Sequence, residues 1–184
     1  MSTSSKILIM GLPGAGKTWF AERLQKALPD CAWFNADVIR KAASDWDFSP
    51  AGRERQAMRM CNVADFEIWN QRNVICDFVC PTDDARQAFN ADVVIWIDTI
   101  KEGRFEDTNK MFENPDLDAV IHIDKHYTEE EVLVVAEQIV KEQLDEYFAD
   151  NEEYKIDDVI EDEADFNGVF GDSAGVPDFI RRKT

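Results

Sequence analysis

Lys6-Ile-Leu-Ile-Met10-Gly11-Leu12-Pro13-Gly14-Ala15-Gly16-Lys17-Thr18 is the stretch on which the reading of this chain turns. A short apolar run stopped by a glycine reads as a buried strand, and the segment after it satisfies G-x-x-x-x-G-K-[ST]. In that pattern the glycines let backbone N–H groups curl around phosphate oxygens, and the helix that follows adds positive potential at its N-terminus. Lys17 is expected on the β- and γ-phosphates of a nucleotide and the Thr18 hydroxyl on Mg²⁺. The alternative is a merely structural glycine-rich turn; the strand–loop–helix setting argues against it.

Outward from this loop, strand and helix signals alternate. Thr18–Leu28 carries Phe20, Leu24 and Leu28 at spacing four and stops at Pro29, which predicts a helix. Cys31–Phe34 reads as a second strand and Asp37–Ala43 as a helical turn or two. Ser49-Pro50, an N-cap followed by a first-turn proline, opens a long helix to about Trp69. Asn73–Phe78 and Asp92–Ile97 are Val/Ile-rich strands, and Ala119–Ile123 is a fifth. Thr128-Glu-Glu-Glu131 is a capping box that opens a last helix with apolar Val132, Val135, Ile139 and Leu144. Strands separated by helices imply right-handed crossovers. The expected architecture is α/β: a P-loop NTPase three-layer α/β/α fold around a five-stranded, mostly parallel sheet.

Composition bounds the rest. The 184 residues hold 38 Asp+Glu against 20 Lys+Arg, a net charge of −18. Residues 147–184 carry 11 acids and 4 bases, a far denser charge than residues 1–146. The first 146 residues are therefore expected to form the catalytic domain, and the rest a solvated or weakly ordered acidic tail. Its scattered apolar residues, Phe166, Phe170, Phe179 and Ile180 among them, leave docking on the domain or on a protein partner open. Such acidity argues against holding nucleic acid by general electrostatics. No apolar stretch is long enough for a membrane span. The N-terminal segment is too short for a signal peptide, and Cys31, Cys61, Cys76 and Cys80 read as reduced thiols of a cytoplasmic protein. A homodimer is also left open.

Asp77 ends a strand, the arrangement that holds Mg²⁺ directly or through water; Asp98 ends another, and Asp37 follows the second. At least one of the three is expected to serve the metal. No Asn-Lys-x-Asp guanine-reading motif is present, and larger ATPases need more chain. A small nucleoside-monophosphate-kinase-like enzyme that moves phosphate to a bound acceptor fits best. Arg40, Arg53, Arg55 and Arg59 cluster along the exit of the second strand and the long helix. They could clamp an anionic acceptor, or they could pair with local acids.

The residues also resemble those of the adenylylsulfate kinases. The family's phosphate loop matches Gly11–Thr18, and its Asp-Gly-Asp-Asn-x-Arg segment is similar to Asn35-Ala36-Asp37-Val38-Ile39-Arg40. Its Phe-Ser-x-x-Asp-Arg-x-x-Asn-x-Arg-Arg segment resembles Phe48 to Arg59, with Gly52, Gln56 and Met58 as departures. Its Ser-Pro is matched by Cys80-Pro81, and the arginine that opens its lid by Arg104. The resemblance spans roughly residues 5–146. It implies ATP and Mg²⁺ as cofactors. The whole loop from Gly11 to Thr18, Trp19 in place of a small hydroxyl residue, and Arg104 would contact the nucleotide. The metal would be served by Thr18, Asp37 and Asp77, and the chemistry by Lys17, Asp37 and Arg104. The acceptor would lie on Asp37, Arg40, Phe48, Arg53, Gln56, Arg59, Cys80 and Pro81. Adenylylsulfate, or a related anionic nucleotide, is the acceptor so implied. The lid over residues ~103–116 departs from the family pattern, and short kinases of this look are common in bacteriophage genomes. A kinase of another hydroxyl, on a nucleoside, a modified base or a nucleic-acid end, and a non-catalytic nucleotide-binding module are the rival readings.

Overall fold

The computed structural model describes residues 4–150; the acidic tail from residue 151 on, with its expected anchors, lies outside the described residues. Five strands, β1 (Lys6–Met10), β2 (Cys31–Asn35), β3 (Asn73–Asp77), β4 (Val93–Ile97) and β5 (Ile121–Ile123), make one sheet in the order β2-β3-β1-β4-β5. Every pairing is parallel. Six helices connect and flank them: α1 (Lys17–Ala27), α2 (Ala36–Ala42), α3 (Pro50–Trp69), α4 (Asp83–Phe89), α5 (Glu106–Met111) and α6 (Glu129–Asp150).

The central strand explains the layering. A parallel strand covered on both faces reads as an unbroken apolar run, and Ile7, Leu8, Ile9 and Met10 have no solvent exposure at all. Ile7 and Ile9 point into a core built with Phe20 and Leu24 of α1 and Val132, Val135 and Ile139 of α6. Leu8 and Met10 point the other way, against Met60 and Ala64 of α3 and Phe89 of α4. The fold is thus the three-layer α/β/α sandwich expected. Among the described residues no helix is long and apolar enough to cross a membrane.

The start signals act as read. Ser49 caps α3 by accepting from the Gly52 N–H at 3.2 Å. In the capping box, Thr128 Oγ1 accepts from the Glu131 N–H while Glu131 accepts from the Thr128 N–H at 2.8 Å. Two helices, α4 and α5, have no counterpart in the sequence reading, because each is too short for a helical period to register. Thr82, which caps α4, and the acids Asp83 and Asp84 in its first turn are the signal that marks it. The last helix continues past residue 146 to Asp150. Trp69, at the end of α3, is 82% exposed.

Beyond β1 the chain fills one side of the sheet with β2 and β3 before crossing to β4 and β5. The loop leaving β1 therefore stands where connections diverge, the place at which open α/β sheets bind ligands. Gly11 makes its first turn at φ +140°, and a Cβ there would lie 2.3 Å from the Ile97 carbonyl oxygen of β4. Gly11→Ala is expected to lower stability by roughly 3 kcal/mol, from backbone strain and overpacking against a carbonyl that cannot yield. Chemical denaturation would show a lower midpoint at unchanged slope.

Candidate active site

Helix α1 starts differently from its neighbours. Helices α2, α3 and α4 are closed by the side chains of Asn35, Ser49 and Thr82. The cap of α1 is Gly16 at φ 101°, with no side-chain cap and no acid in the first turn. Its free N–H groups and positive end are left for an anion. Thr99 Oγ1 braces the loop by donating to the Ala15 carbonyl at 2.6 Å.

Lys17 folds back over this loop and donates to the carbonyls of Gly11 and Leu12 at 2.9 and 3.0 Å. Burial pushes its ammonium group down to about 8, with Asp77 and Asp37 opposing the shift. Phosphate oxygens would favour the charged form, so nucleotide binding near pH 8 is expected to take up a fraction of a proton. Below pH 8 the lysine is already charged and affinity is flat; above it, affinity falls as the free chain loses that proton. Calorimetric titration with ATP in buffers of different ionisation enthalpy measures the uptake.

Asp77, at the end of β3, is 2% exposed and sits directly under Thr18. Its Oδ2 accepts from Thr18 Oγ1 and Asn35 Nδ2, each at 2.9 Å, and its Oδ1 from Trp33 Nε1 at 2.9 Å. Burial raises this carboxyl above its usual range, against those three donors and Lys17. The structure thus brings Thr18 and Asp77 together. A hydroxyl and one carboxylate beside a phosphate site suit Mg²⁺, which prefers one or two protein oxygens plus substrate phosphates to an all-protein cage. Among the described residues no group of three His, Cys, Asp or Glu side chains forms such a cage. Asp98 turns elsewhere, accepting from Lys101 at 2.8 Å and facing His122 Nε2 at 3.1 Å.

Asp37 is exposed in the first turn of α2, near enough to act electrostatically on both Lys17 and Arg40. Behind it the predicted arginines do assemble, and each meets groups of this chain. Arg40 is buried, donates to the Asp45 and Asp47 carbonyls at 3.2 and 3.0 Å, and lies over the Phe48 ring at 4.7 Å. Burial, with Arg59 and Arg53 close by, lowers its affinity for the proton. Asp45 accepts from Arg55 and Arg59, each at 2.7 Å, which holds its carboxyl far below the usual range. Arg53 donates to the Phe48 carbonyl at 2.9 Å and pairs with Asp107 of α5. Gly52 explains one departure from the family: a Cβ there would meet the Asp47 carbonyl at 2.4 Å, so the loop lies on α3 only over glycine. Phe48 is 54% exposed, so it is no core residue.

Gln56 is buried, with its amide donating to the Ala36 carbonyl at 3.2 Å and its oxygen accepting from Arg59 at 3.1 Å. It joins α2 to α3. Cys80 is buried too, at φ +42°, its thiol pushed up to about 12 by burial; Pro81 beside it is half-buried. Arg104 is exposed, its guanidinium 5.5 Å from the Phe105 ring. It stands at the rim of the phosphate loop, since Gly103 packs against Pro13.

On the other side of the loop a cavity of about 390 Å³ opens between α1 and the turn after β5. Gly16, Trp19, Thr99, Lys125, His126 and Tyr127 are among its walls. Trp19, expected to contact the nucleotide, lines this cavity, its ring backed by the Arg23 guanidinium at 3.9 Å. Sequence reasoning missed Thr99 and the Lys125-His126-Tyr127 turn, as well as Trp33 and Asn35 against the Thr18–Asp77 pair. The first four join the site only through the β4–β5 pairing, and no local motif marks them.

A parallel sheet in this order, a glycine loop after its first strand and a threonine–aspartate pair beneath it define a P-loop kinase fold. Residues 3–102 match the family model of adenylylsulphate kinase, and the chain belongs to that family. The match ends one residue before Gly103, so it takes in the loop, the arginine cluster and Asp77 but not the lid. The sequence resemblance had been expected to reach residue 146. No curated protein matches the chain.

Among solved structures, a gluconokinase from Sinorhizobium meliloti is 14% identical with a TM-score of 0.56, covering 81% of this chain and 99% of its own. A sugar kinase from Janibacter sp. is 15% identical at 0.58, covering 75% and 95%. The Mycobacterium tuberculosis APS kinase in complex with AMPPNP and APS is 15% identical at 0.55, covering 75% and 98%. At these identities the likeness is one of fold. Family and fold together support a phosphotransferase that binds a nucleotide.

Proposed function

We propose that this chain transfers the γ-phosphoryl group of Mg-ATP to a hydroxyl of a small anionic acceptor, with adenylylsulfate, converted to 3′-phosphoadenylylsulfate, as the first candidate. The observation that carries the reading is the position of Asp37, an exposed carboxylate within electrostatic reach of both the phosphate lysine and the arginine cluster. The nucleotide phosphates would lie on Gly11–Thr18 with the base in the cavity beside Trp19. The acceptor would lie across Asp37 with its adenine on Phe48.

Transfer is then positioning plus neutralisation of charge. The acceptor oxygen attacks the γ-phosphorus, the bond to the β,γ-bridging oxygen breaks, ADP leaves with that electron pair, and the proton passes to Asp37. Lys17 offsets charge on the transferred group, joined by Arg104 once it turns inward from the rim. Thr18 and Asp77 would hold Mg²⁺, which screens the phosphate oxygens.

A kinase of a neutral hydroxyl compound is the second reading, favoured by the in-chain carboxylates that already pair with Arg53, Arg55 and Arg59. A γ-labelled ATP assay against adenylylsulfate, AMP, nucleosides and hydroxylated oligonucleotides separates the two. Label in adenylylsulfate supports the first reading; label in nucleosides alone overturns it in favour of the second.

A further inference from the structure

Within the arginine cluster, Arg53 differs from its neighbours in what holds it. Arg40 is fixed by backbone carbonyls of its own loop, and Arg55 and Arg59 share Asp45, whose side chain is only 13% exposed. The carboxylate partner of Arg53 is on another element. Asp107 lies 54 residues further on, in α5, and is 65% exposed. A second contact runs from Arg53 to the hydroxyl of buried Thr108 at 3.5 Å.

The segment carrying Asp107 is tied down at both ends. Asn109 bonds to the N–H and the carbonyl of Gly103 at 2.9 Å each, and Gly103 packs on Pro13 of the phosphate loop. Phe112 stacks on Trp96, and the Glu113 N–H donates to the Pro81 carbonyl at 2.8 Å. Between these anchors, the Arg53–Asp107 pair draws α5 against α3 at the acceptor cleft. Exposed ion pairs are weak and yield to competing anions. Arg104 lies on the same segment, three residues before Asp107.

We propose that Asp107 is an internal stand-in for the anion of the acceptor. In the free chain it occupies Arg53 and holds residues 103–112 across the cleft. An anionic acceptor takes over Arg53, frees α5 and lets Arg104 turn to the nucleotide. Arrival of the acceptor is thereby coupled to assembly of the charge-neutralising set, and ATP alone is spared hydrolysis. This inference rests on the anionic-acceptor reading above, which it extends from binding to gating. Asp107 acts through Arg53 and is a positioning residue.

The test compares the full chain with Asp107→Asn and Asp107→Glu, using adenylylsulfate and AMP as probes. Asp107→Asn is expected to lower the KM for adenylylsulfate and raise acceptor-free ATP hydrolysis, each by about two- to fivefold, the range of a surface ion pair. Amide hydrogen exchange over residues 103–112 should quicken in the parent when adenylylsulfate is added, and should already be quick in Asp107→Asn without it. Asp107→Glu should restore parental behaviour. Turnover of adenylylsulfate with KM, basal hydrolysis and exchange all unmoved by Asp107→Asn would overturn the gating role. If adenylylsulfate is not phosphorylated, yet Asp107→Asn still frees the segment and raises hydrolysis, the clasp stands and the acceptor assignment falls.

Discussion

Alanine in place of Lys17 is expected to cut phosphoryl transfer by about 10³-fold, the scale of losing a preorganised charge at the reacting centre. In the proposed reading the ammonium group serves the phosphate: it lies 2.9–3.0 Å from two carbonyls of the loop and is strongly desolvated. A lysine whose proton affinity is lowered by folding costs stability at every pH where it is charged. Its penalty is full below pH 8 and disappears only above the ordinary lysine value. The Lys17→Ala chain should therefore melt no lower than the parent at pH 7 while its ATP affinity collapses. Thermal denaturation with and without ATP separates the two effects, because the parent gains stability on adding ATP and the variant does not. A variant with parental turnover would remove the phosphate-loop assignment.

Asp77→Asn is the second large effect, expected at about 10²- to 10³-fold in turnover. The parent carboxylate accepts from three donors, Thr18, Trp33 and Asn35. An amide offers one acceptor oxygen and two donors to that set, so donors face donors in a buried place, and either the bond from Trp33 or those from Thr18 and Asn35 must fail. Leaving one such group unsatisfied costs about 1–3 kcal/mol. Stability should fall together with the apparent affinity for Mg²⁺, and titration with Mn²⁺ followed by electron paramagnetic resonance reports the metal directly. Unchanged Mn²⁺ binding in the presence of ATP would take Asp77 out of the metal site.

What could be read in advance was whatever a single stretch of chain encodes. A buried parallel strand shows as Ile7–Met10, a phosphate loop as a fixed spacing of glycines, and a capping box as Thr128 with Glu131. All three stand where the sequence put them. Contacts made across the fold leave no such trace. The four arginines could be counted along the chain, but the pairing of Arg53, Arg55 and Arg59 with Asp45, Asp47 and Asp107 depends on how the 43–48 loop and α5 fold back onto α3. Trp33 lies 44 residues from the carboxylate it supports. The cavity wall at Lys125–Tyr127 joins Trp19 through strand order, which only the closed sheet supplies.

The ladder between β2, β3 and β1 also bears on how such a chain can change over time. Asn35 is in register with Asp77, and Asp77 with Ile9, two residues before Gly11. Successive residues of a strand face opposite sides of the sheet. One residue added early in β3 would therefore bring Cys76 to the place facing Thr18, and one removed would bring Phe78. Neither side chain can accept from Thr18, Trp33 and Asn35 together. A substitution elsewhere leaves this register in place, whereas a length change in an inner strand would remove the Thr18–Asp77 pair at a stroke.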